Sequence, residues 1–468
     1  MLEFVLKDLI DIVGGTPNYG VLPPLAGDAS PVGDVVTDSR RVQEGDVFWG
    51  LVGPQHDGAD FVDEAFARGA AGAVVSGRNI EPWAGRWTLR VSDTTWALWQ
   101  LATVVRYRFQ GRVIAVTGSL GKTTTRQLIH TLLGRHMQGS ASPRNYNNHL
   151  GVPLSLLQLC ENDDYAVIEL GASRPGEIKA LAKLCDPHVG VVTCIAEAHL
   201  DGFGGQQRSI AESKSELLAV LPDDGCAVVG DDAVWWDTLT TKCRSRIVRV
   251  GRSADCDLVA TDVQSGEGRL RFRLPGQAFT IPVWGRHYLT STLAAIAVGQ
   301  NMNLSLAEMA SALEQFEPPP QRCEITCVDG TTIINDTYNA CPTAMRAALD
   351  LVRDFDTLGR RIVVCGDMCE LGREAAERHH NLGDEVVTIC GADLLVACGK
   401  YARDVVTGAR DAGMPVSQAI ACNSPREAIP FLRQQLVPGD AVLLKGSRAM
   451  AMETILEGLQ GQPRKRAA

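Results

Sequence analysis

Val113-Ile114-Ala115-Val116-Thr117-Gly118-Ser119-Leu120-Gly121-Lys122-Thr123-Thr124-Thr125 passes from β-favouring residues through two glycines to a lysine and three threonines. Gln127-Leu-Ile-His-Thr-Leu-Leu133 follows with the spacing of an amphipathic helix, which predicts a strand, a tight turn and a helix N-terminus in succession. Gly118 and Gly121 let the backbone bend with its N–H groups facing inward, and Ser119, Leu120 and Thr124 share that turn. The helix dipole and the Lys122 ammonium add positive potential suited to an anion of several charges, and a nucleoside triphosphate fits that description. Thr123 puts a hydroxyl where the magnesium bridging the terminal phosphates would sit. The spacing is the short Gly-x-x-Gly-Lys-Thr-Thr, with Val116 where the longer phosphate loop carries its first glycine. An ordinary glycine turn entering a helix is the plain alternative.

The 468 residues leave room for about three domains of about 150 residues each. Apolar content of 45% and charged content of 21% are those of a soluble globular protein, and no apolar run is long enough to span a bilayer. Met1-Leu-Glu-Phe-Val-Leu-Lys-Asp8 carries acids where a signal peptide would carry bases, so a cytoplasmic location is expected. A net charge of -10 disfavours nucleic acid as a partner, because binding phosphate backbones requires a basic face. The 14 cysteines include Cys323/Cys327 and Cys365/Cys369 but no paired Cys-x-x-Cys set, so reduced, mostly buried thiols are expected rather than disulfides or zinc. The closing Pro463-Arg-Lys-Arg-Ala-Ala468 reads as a solvated tail.

Upstream of the phosphate loop, strands are expected around Val35-Val36 and within Gly45-Asp-Val-Phe-Trp-Gly-Leu-Val52, then a helix over 60–68 and a strand at Ala73-Val-Val75. Thr37, Asp38, Ser39 and Arg40 follow the first of these. There Arg40 offers a bidentate donor for a phosphate, or else the residues form a turn with a surface ion pair. Downstream, strands and helices alternate as a mostly parallel sheet requires. Tyr165-Ala-Val-Ile-Glu169 is a strand ending in a carboxylate, and Val189-Gly-Val-Val-Thr-Cys194 is another, leading into Glu197-Ala-His199. Ligands gather beyond the carboxyl ends of such strands, so Glu169 and His199 are expected to face the phosphates and to favour a metal.

Between these, Asn145-Tyr-Asn147-Asn148-His149-Leu-Gly151-Val-Pro153 supplies amides that either orient a substrate or cap turns, with Pro153 opening a helix. Lys214 falls on the apolar stripe of Ile210, Leu217, Leu218 and Leu221. Such a lysine either snorkels, or is neutral enough to take up carbon dioxide as a carbamate that suits a second magnesium. Glu317-Pro-Pro-Pro320 is a stiff linker to the last unit. That unit shows a strand at Thr331-Thr-Ile-Ile-Asn335, a helix opened by Pro342, and strand-turn units at Ile362-Val-Val-Cys365 and Ala441-Val-Leu-Leu444.

Gly118 to Thr125, the Asn145 to Pro153 loop, Glu169-Leu-Gly-Ala172, His199-Leu-Asp-Gly-Phe-Gly204, Lys214, Gly285-Arg-His287, Asp336-Thr-Tyr-Asn-Ala340, Gly366-Asp-Met368 and Lys445-Gly-Ser-Arg448 occur in this order. Together they resemble the Mur ligases, the ATP-dependent amide-bond-forming enzymes of peptidoglycan precursor synthesis, over nearly the whole chain. The Tyr338-Asn339-Ala340 turn and the turn at Lys445 look like those of the D-alanyl-D-alanine-adding branch. The resemblance implies an α/β protein of three domains. Residues 1–110 would bind the UDP-sugar peptide, 111–318 would form a P-loop parallel-sheet ATPase domain, and 319–468 a Rossmann-like domain closing over ATP and the incoming amine.

The resemblance also implies two magnesium ions, one served by Thr123 and Glu169 and the other by His199 and carbamylated Lys214. It makes Lys122, Lys214, His199 and Asn148 the catalytic set and puts His287, Arg322 and Asp336 around the nucleotide. Thr37, Asp38, Ser39, Arg40, Asn147, Tyr338, Asn339 and Lys445 would meet the UDP-N-acetylmuramoyl-tripeptide and D-alanyl-D-alanine. Where the family usually shows asparagines after Gly285-Arg-His287, this chain has Tyr288 and Ser291. A monomer is expected. The competing readings are another Mur ligase, a folylpolyglutamate synthase, or a nucleotide-binding regulatory protein without turnover.

Overall fold

A computed structural model describes residues 3–21, 23–232 and 234–461, so the expected tail at 463–468 lies outside it. The N-terminal unit holds a five-stranded sheet in the order Thr16–Asn18, Trp87–Val91, Gly72–Ser76, Val47–Trp49, Val35–Val36. Only the edge strand Thr16–Asn18 runs antiparallel, and it carries Pro17, which cannot donate to a ladder and is tolerated at an edge. The helix expected over 60–68 is split: Asp57 caps a 3-10 turn, Gly58–Phe61, and the α-helix proper is Val62–Ala67.

Helix Thr94–Arg108 starts at Asp93, whose carboxylate accepts from the Trp96 N–H at 2.9 Å. It packs on Leu6–Val13 of its own unit and on helices Gly151–Leu156 and Glu177–Cys185 of the next, and the buried Arg106 donates to the carbonyls of Cys185 and Asp186. Pro153 stands in the first turn of Gly151–Leu156 rather than opening it. Its missing N–H costs nothing there, since first-turn amides have no partner within the helix.

The central sheet has seven strands, all parallel, in the order Leu258–Val259, Arg246–Gly251, Cys226–Gly230, Val189–Val192, Arg112–Thr117, Tyr165–Glu169, Gly139–Ala141. Both faces are covered, which is why its inner strands read as continuous apolar runs. The chain leaves Arg112–Thr117 towards one edge and later returns on its other side at Val189–Val192. That makes Arg112–Thr117 the switch point where α/β sheets open a crevice beyond their carboxyl ends. A three-stranded antiparallel sheet, Thr261–Gly266, Arg269–Leu274 and Gln277–Ile281, interrupts the expected alternation.

The C-terminal sheet is mixed. Glu324–Val328 runs antiparallel at one edge, followed by parallel Thr331–Asp336, Ala441–Lys445, Arg361–Gly366, Leu394–Cys398 and Ala419–Cys422. One apolar cluster runs from Leu6, Trp49 and Trp87 through Val113, Ile168 and Leu217 to Met345, Leu349 and Val363, so the five-, seven- and six-stranded sheets share one core. All 14 cysteines are free thiols and nine are buried. No helix among the described residues is long and apolar enough to cross a membrane.

Candidate active site

The strand Arg112–Thr117 hands the chain directly to Gly118, whose φ of 144° is left to glycine and whose added Cβ would lie 1.9 Å from Thr193 Oγ1. The turn is held from the neighbouring strand end: the Ser119 N–H donates to Cys194 O at 2.9 Å and Ser119 Oγ to Ala196 O at 3.1 Å. Gly121, with φ of 77°, precedes helix Lys122–Leu133, so the helix N-terminus opens onto the turn. Lys122 Nζ lies across its own loop, donating to the carbonyls of Gly118 at 2.8 Å and Ser119 at 3.2 Å. Burial pushes its ammonium below the ordinary lysine value, and Glu169 opposes that shift.

Lys122, Thr123, Asn147, Asn148, Glu169 and His199 line one cavity of about 670 Å³, the size of a small-molecule site. Glu169, at the end of its strand, is 1% exposed. Its Oε1 accepts from Asn147 Nδ2 at 2.8 Å, while Oε2 is buried with no hydrogen-bond partner. A buried carboxylate oxygen left unpaired beside a phosphate loop fits a divalent cation. Among the described residues no group of three or more His, Cys, Asp and Glu gathers at one point. A cation at Glu169 would therefore complete its shell with Thr123, phosphate oxygens and water, as magnesium commonly does.

The C-terminal unit forms the opposite wall. Arg322 Nη2 donates to Thr123 Oγ1 at 3.3 Å, and its guanidinium lies 4.1 Å from the centre of the Tyr338 ring. Lys445 Nζ pairs with Asp336 Oδ2 at 2.5 Å and donates to Asn339 O at 2.9 Å, with its side chain 4% exposed. These residues also border an adjoining cavity of about 330 Å³ that reaches His287, Tyr288 and Ser291. The cleft walls push the His287 imidazole down to about 4, so it is neutral near pH 7, although its side chain still meets solvent. Tyr288 and Ser291, the two departures from the family pattern, have local partners. The Tyr288 hydroxyl donates to Arg322 O at 3.0 Å, and Ser291 Oγ stands where a Cβ on Gly121 would come within 2.9 Å.

Some expected site residues stand elsewhere. Thr37, Asp38, Ser39 and Arg40 line neither cavity. Arg40 forks onto Asp38 through two 2.9 Å bonds, Ser39 Oγ donates to Glu64, and the local form is the turn with a surface ion pair. Asn148 lines the larger cavity, yet its Oδ1 accepts from the N–H groups of Leu150 and Gly151, the capping duty.

Lys214 does not line the cavity either; it is 3% exposed, with Nζ 5.8 Å from the Phe203 ring centre, so its head does not snorkel to bulk water. Burial, with Lys122 adding repulsion, brings its ammonium down to about 7. Two residues escaped the sequence reading. Arg126, buried on the loop helix, donates to the carbonyls of Ser142 and Arg144 and so anchors the segment leading to Asn147. Glu370 of the C-terminal unit bonds His199 Nδ1, 171 residues away, a separation that leaves no local mark in the sequence.

Comparison with known proteins gives a consistent result. Residues 116–299 match the Mur ligase middle domain and residues 321–448 the Mur ligase, glutamate ligase domain. The chain is 32% identical to the UDP-N-acetylmuramoyl-tripeptide--D-alanyl-D-alanine ligase of Bacillus subtilis, over 99% of this chain and 100% of that one. A crystal structure of MurF from Acinetobacter baumannii superposes with a TM-score of 0.86 at 30% identity, covering 98% of this chain and 99% of the other. The MurF ligase from Thermotoga maritima, solved in complex with ADP, superposes with a TM-score of 0.79 at 28% identity, covering 93% and 98%.

Proposed function

The chain belongs to the Mur ligase family, and on that premise we propose that it joins D-alanyl-D-alanine to UDP-N-acetylmuramoyl-tripeptide at the expense of ATP, through an acyl phosphate, in cytoplasmic peptidoglycan precursor synthesis. It is an ATP-dependent acid–amino-acid ligase. The sister ligases, folylpolyglutamate synthase and a silent nucleotide-binding protein are less favoured, because identity to the D-alanyl-D-alanine ligases runs the length of both chains.

A carboxylate resists amide formation because it is a poor electrophile and would have to expel oxide or hydroxide. Transfer of the terminal phosphoryl group of ATP onto a carboxylate oxygen of the tripeptide releases ADP and supplies a leaving group. The dipeptide amine then attacks the carbonyl carbon, inorganic phosphate departs and the nitrogen sheds a proton. Lys122 and the loop amides neutralise charge that grows on the moving phosphoryl group. Glu169 and Thr123 would hold a magnesium ion, and His199 a second, which Lys214, buried outside the cavity lining, would meet only through the added length of its carbamate; bound there, the ions would supply charge neutralisation on phosphate oxygens.

Asn147 orients the Glu169 carboxylate. Arg322, Tyr338, Asn339 and Lys445 close the cleft from the other side and exclude water that would hydrolyse the acyl phosphate. His287, Arg322 and Asp336 border the nucleotide, and Thr37, Asp38, Ser39 and Arg40 take the UDP-linked end once Arg40 exchanges Asp38 for a phosphate. All these groups come from one chain, so a monomer suffices.

The observation that carries the reading is the unpaired Glu169 oxygen on the same cavity as Lys122 and His199, walled by the C-terminal unit. The test is a coupled assay of ADP release. It should require both UDP-N-acetylmuramoyl-tripeptide and D-alanyl-D-alanine, with the pentapeptide as product. Equal release with glutamate or diaminopimelate as the amine would oppose this branch of the family.

A further inference from the structure

His199 and Glu370 face each other across the two lobes, and each is a non-glycine residue in the left-handed backbone region, with φ of 59° and 63°. Strained backbone of this kind persists only where its surroundings enforce it, and it gathers at functional sites. Here the surroundings are visible. His199 Nδ1 bonds Glu370 Oε2, and the Asp201 N–H donates to Glu370 O at 3.1 Å. Alongside, Arg378 of the C-terminal lobe pairs with Glu197 at 3.0 Å.

The segment bearing Glu370 is itself fixed from behind. The Met368 N–H donates to His379 Nε2 at 2.9 Å and the Cys369 N–H to Ser447 Oγ at 2.8 Å. Glu370 is therefore presented by a braced turn, although its side chain is 57% exposed. A salt bridge that exposed contributes little to stability by itself, so its value must lie in what it orients.

We infer that Glu370 is a positioning residue for His199. Its carboxylate accepts the Nδ1 proton, fixes the ring's tautomer and angle, and leaves Nε2 as the nitrogen available to the cavity. Histidines that bind cations are commonly held in this way by a carboxylate on their other nitrogen. Because the carboxylate comes from the opposite lobe, His199 gains its working orientation only when the lobes dock. The site is then assembled by closure rather than standing ready beforehand. This inference rests on the proposed function for the identity of the reaction, not for the contact.

The experiment uses the full chain and four proteins: wild type, Glu370→Ala, Glu370→Gln and Arg378→Ala. Affinity for Mn2+ in the presence of ADP is read by electron paramagnetic resonance, and kcat and KM by ADP release. Glu370→Ala should weaken Mn2+ binding about tenfold or more and lower kcat by a similar factor, with KM values moved far less. Glu370→Gln keeps an acceptor for Nδ1–H and should fall between. Arg378→Ala breaks the neighbouring lobe contact but not the one to His199, and should bind Mn2+ as wild type does.

Wild-type Mn2+ affinity and kcat in Glu370→Ala would overturn the inference, and so would an equal loss in Arg378→Ala, which would make Glu370 a lobe contact only. Wild-type turnover indifferent to D-alanyl-D-alanine would instead count against the proposed function and leave the Mn2+ comparison intact.

Discussion

Lys214 has left water almost entirely, and that changes what its amine can do. With its ammonium brought down to about 7, a large share of the side chain is neutral and nucleophilic at physiological pH, the form that takes up carbon dioxide. Lys214→Ala is expected to be nearly inactive and to regain part of its turnover with added formate or acetate. Full activity without the additive would return the residue to a packing role. Lys122→Ala is expected to lose about 10³-fold or more in ADP production, the scale of removing a preorganised donor at developing charge; near-normal turnover would remove Lys122 from the site.

Both lysines were legible beforehand, Lys122 from its spacing after two glycines and Lys214 from its place on an apolar stripe. Glu169 was legible as the polar end of a strand, and His199 from the loop that follows the next one. Arg126 and Glu370 were not, because their partners are backbone carbonyls and a histidine that adjoin them only once the chain has folded.

At the level of elements, the phosphate turn tolerates no side chain at its first glycine. Gly118→Ala would drive a methyl group into Thr193 Oγ1 at an unfavourable φ, and a loss of about 2 kcal/mol in chemical denaturation, with loss of ADP binding, is expected. Unchanged ADP affinity would show that the turn can relax.

The braced turn behind Glu370 makes a different prediction. His379 is fully buried and neutral, accepting from Met368 N–H through Nε2, and burial holds its pKa below the ordinary value. The unfolded chain takes up this proton below about pH 6.5 while the folded chain resists it. Stability is thus complete above that pH and declines below it. A denaturation series from about pH 7.5 to about pH 5.5 should show a smaller decline in His379→Asn than in wild type. Equal slopes would clear His379 of the effect.

Sequence patterning found most strands of the parallel sheets, since buried apolar runs bounded by glycine are strong signals. It missed the antiparallel insert, although Arg269, Arg271 and Arg273 alternate with Leu270, Phe272 and Leu274. Phe272 stacks on Phe279 at 5.2 Å, a pairing that only a hairpin register brings about. An alternation embedded in an expected βαβ rhythm is easily absorbed into it.

Across the whole molecule, Glu317-Pro-Pro-Pro320 lies between helix Leu306–Leu313 and strand Glu324–Val328, whereas 110 falls just beyond a helix that packs on both sides. Composition cannot reveal that the apolar cluster runs on through the five-, seven- and six-stranded sheets, because burial of one unit by another uses the same residues as a core. Arg322 also joins the halves, reaching Thr123 from the C-terminal side. Arg322→Ala is expected to raise the KM for ATP about tenfold, the worth of a charge-assisted hydrogen bond, while leaving thermal stability nearly intact. An unaltered KM with a lowered melting temperature would make Arg322 a strut instead.

The adjoining cavity that ends at Tyr288 and Ser291 has a bearing on pharmacology. Its rim is shared between the central and C-terminal units, so a wedge-shaped compound lodged there would hold them apart and at the same time occupy part of the proposed nucleotide site. A microbe escaping such a compound by enlarging Ser291 would crowd Gly121 and blunt its own phosphate grip. Resistance by that route would carry its own handicap.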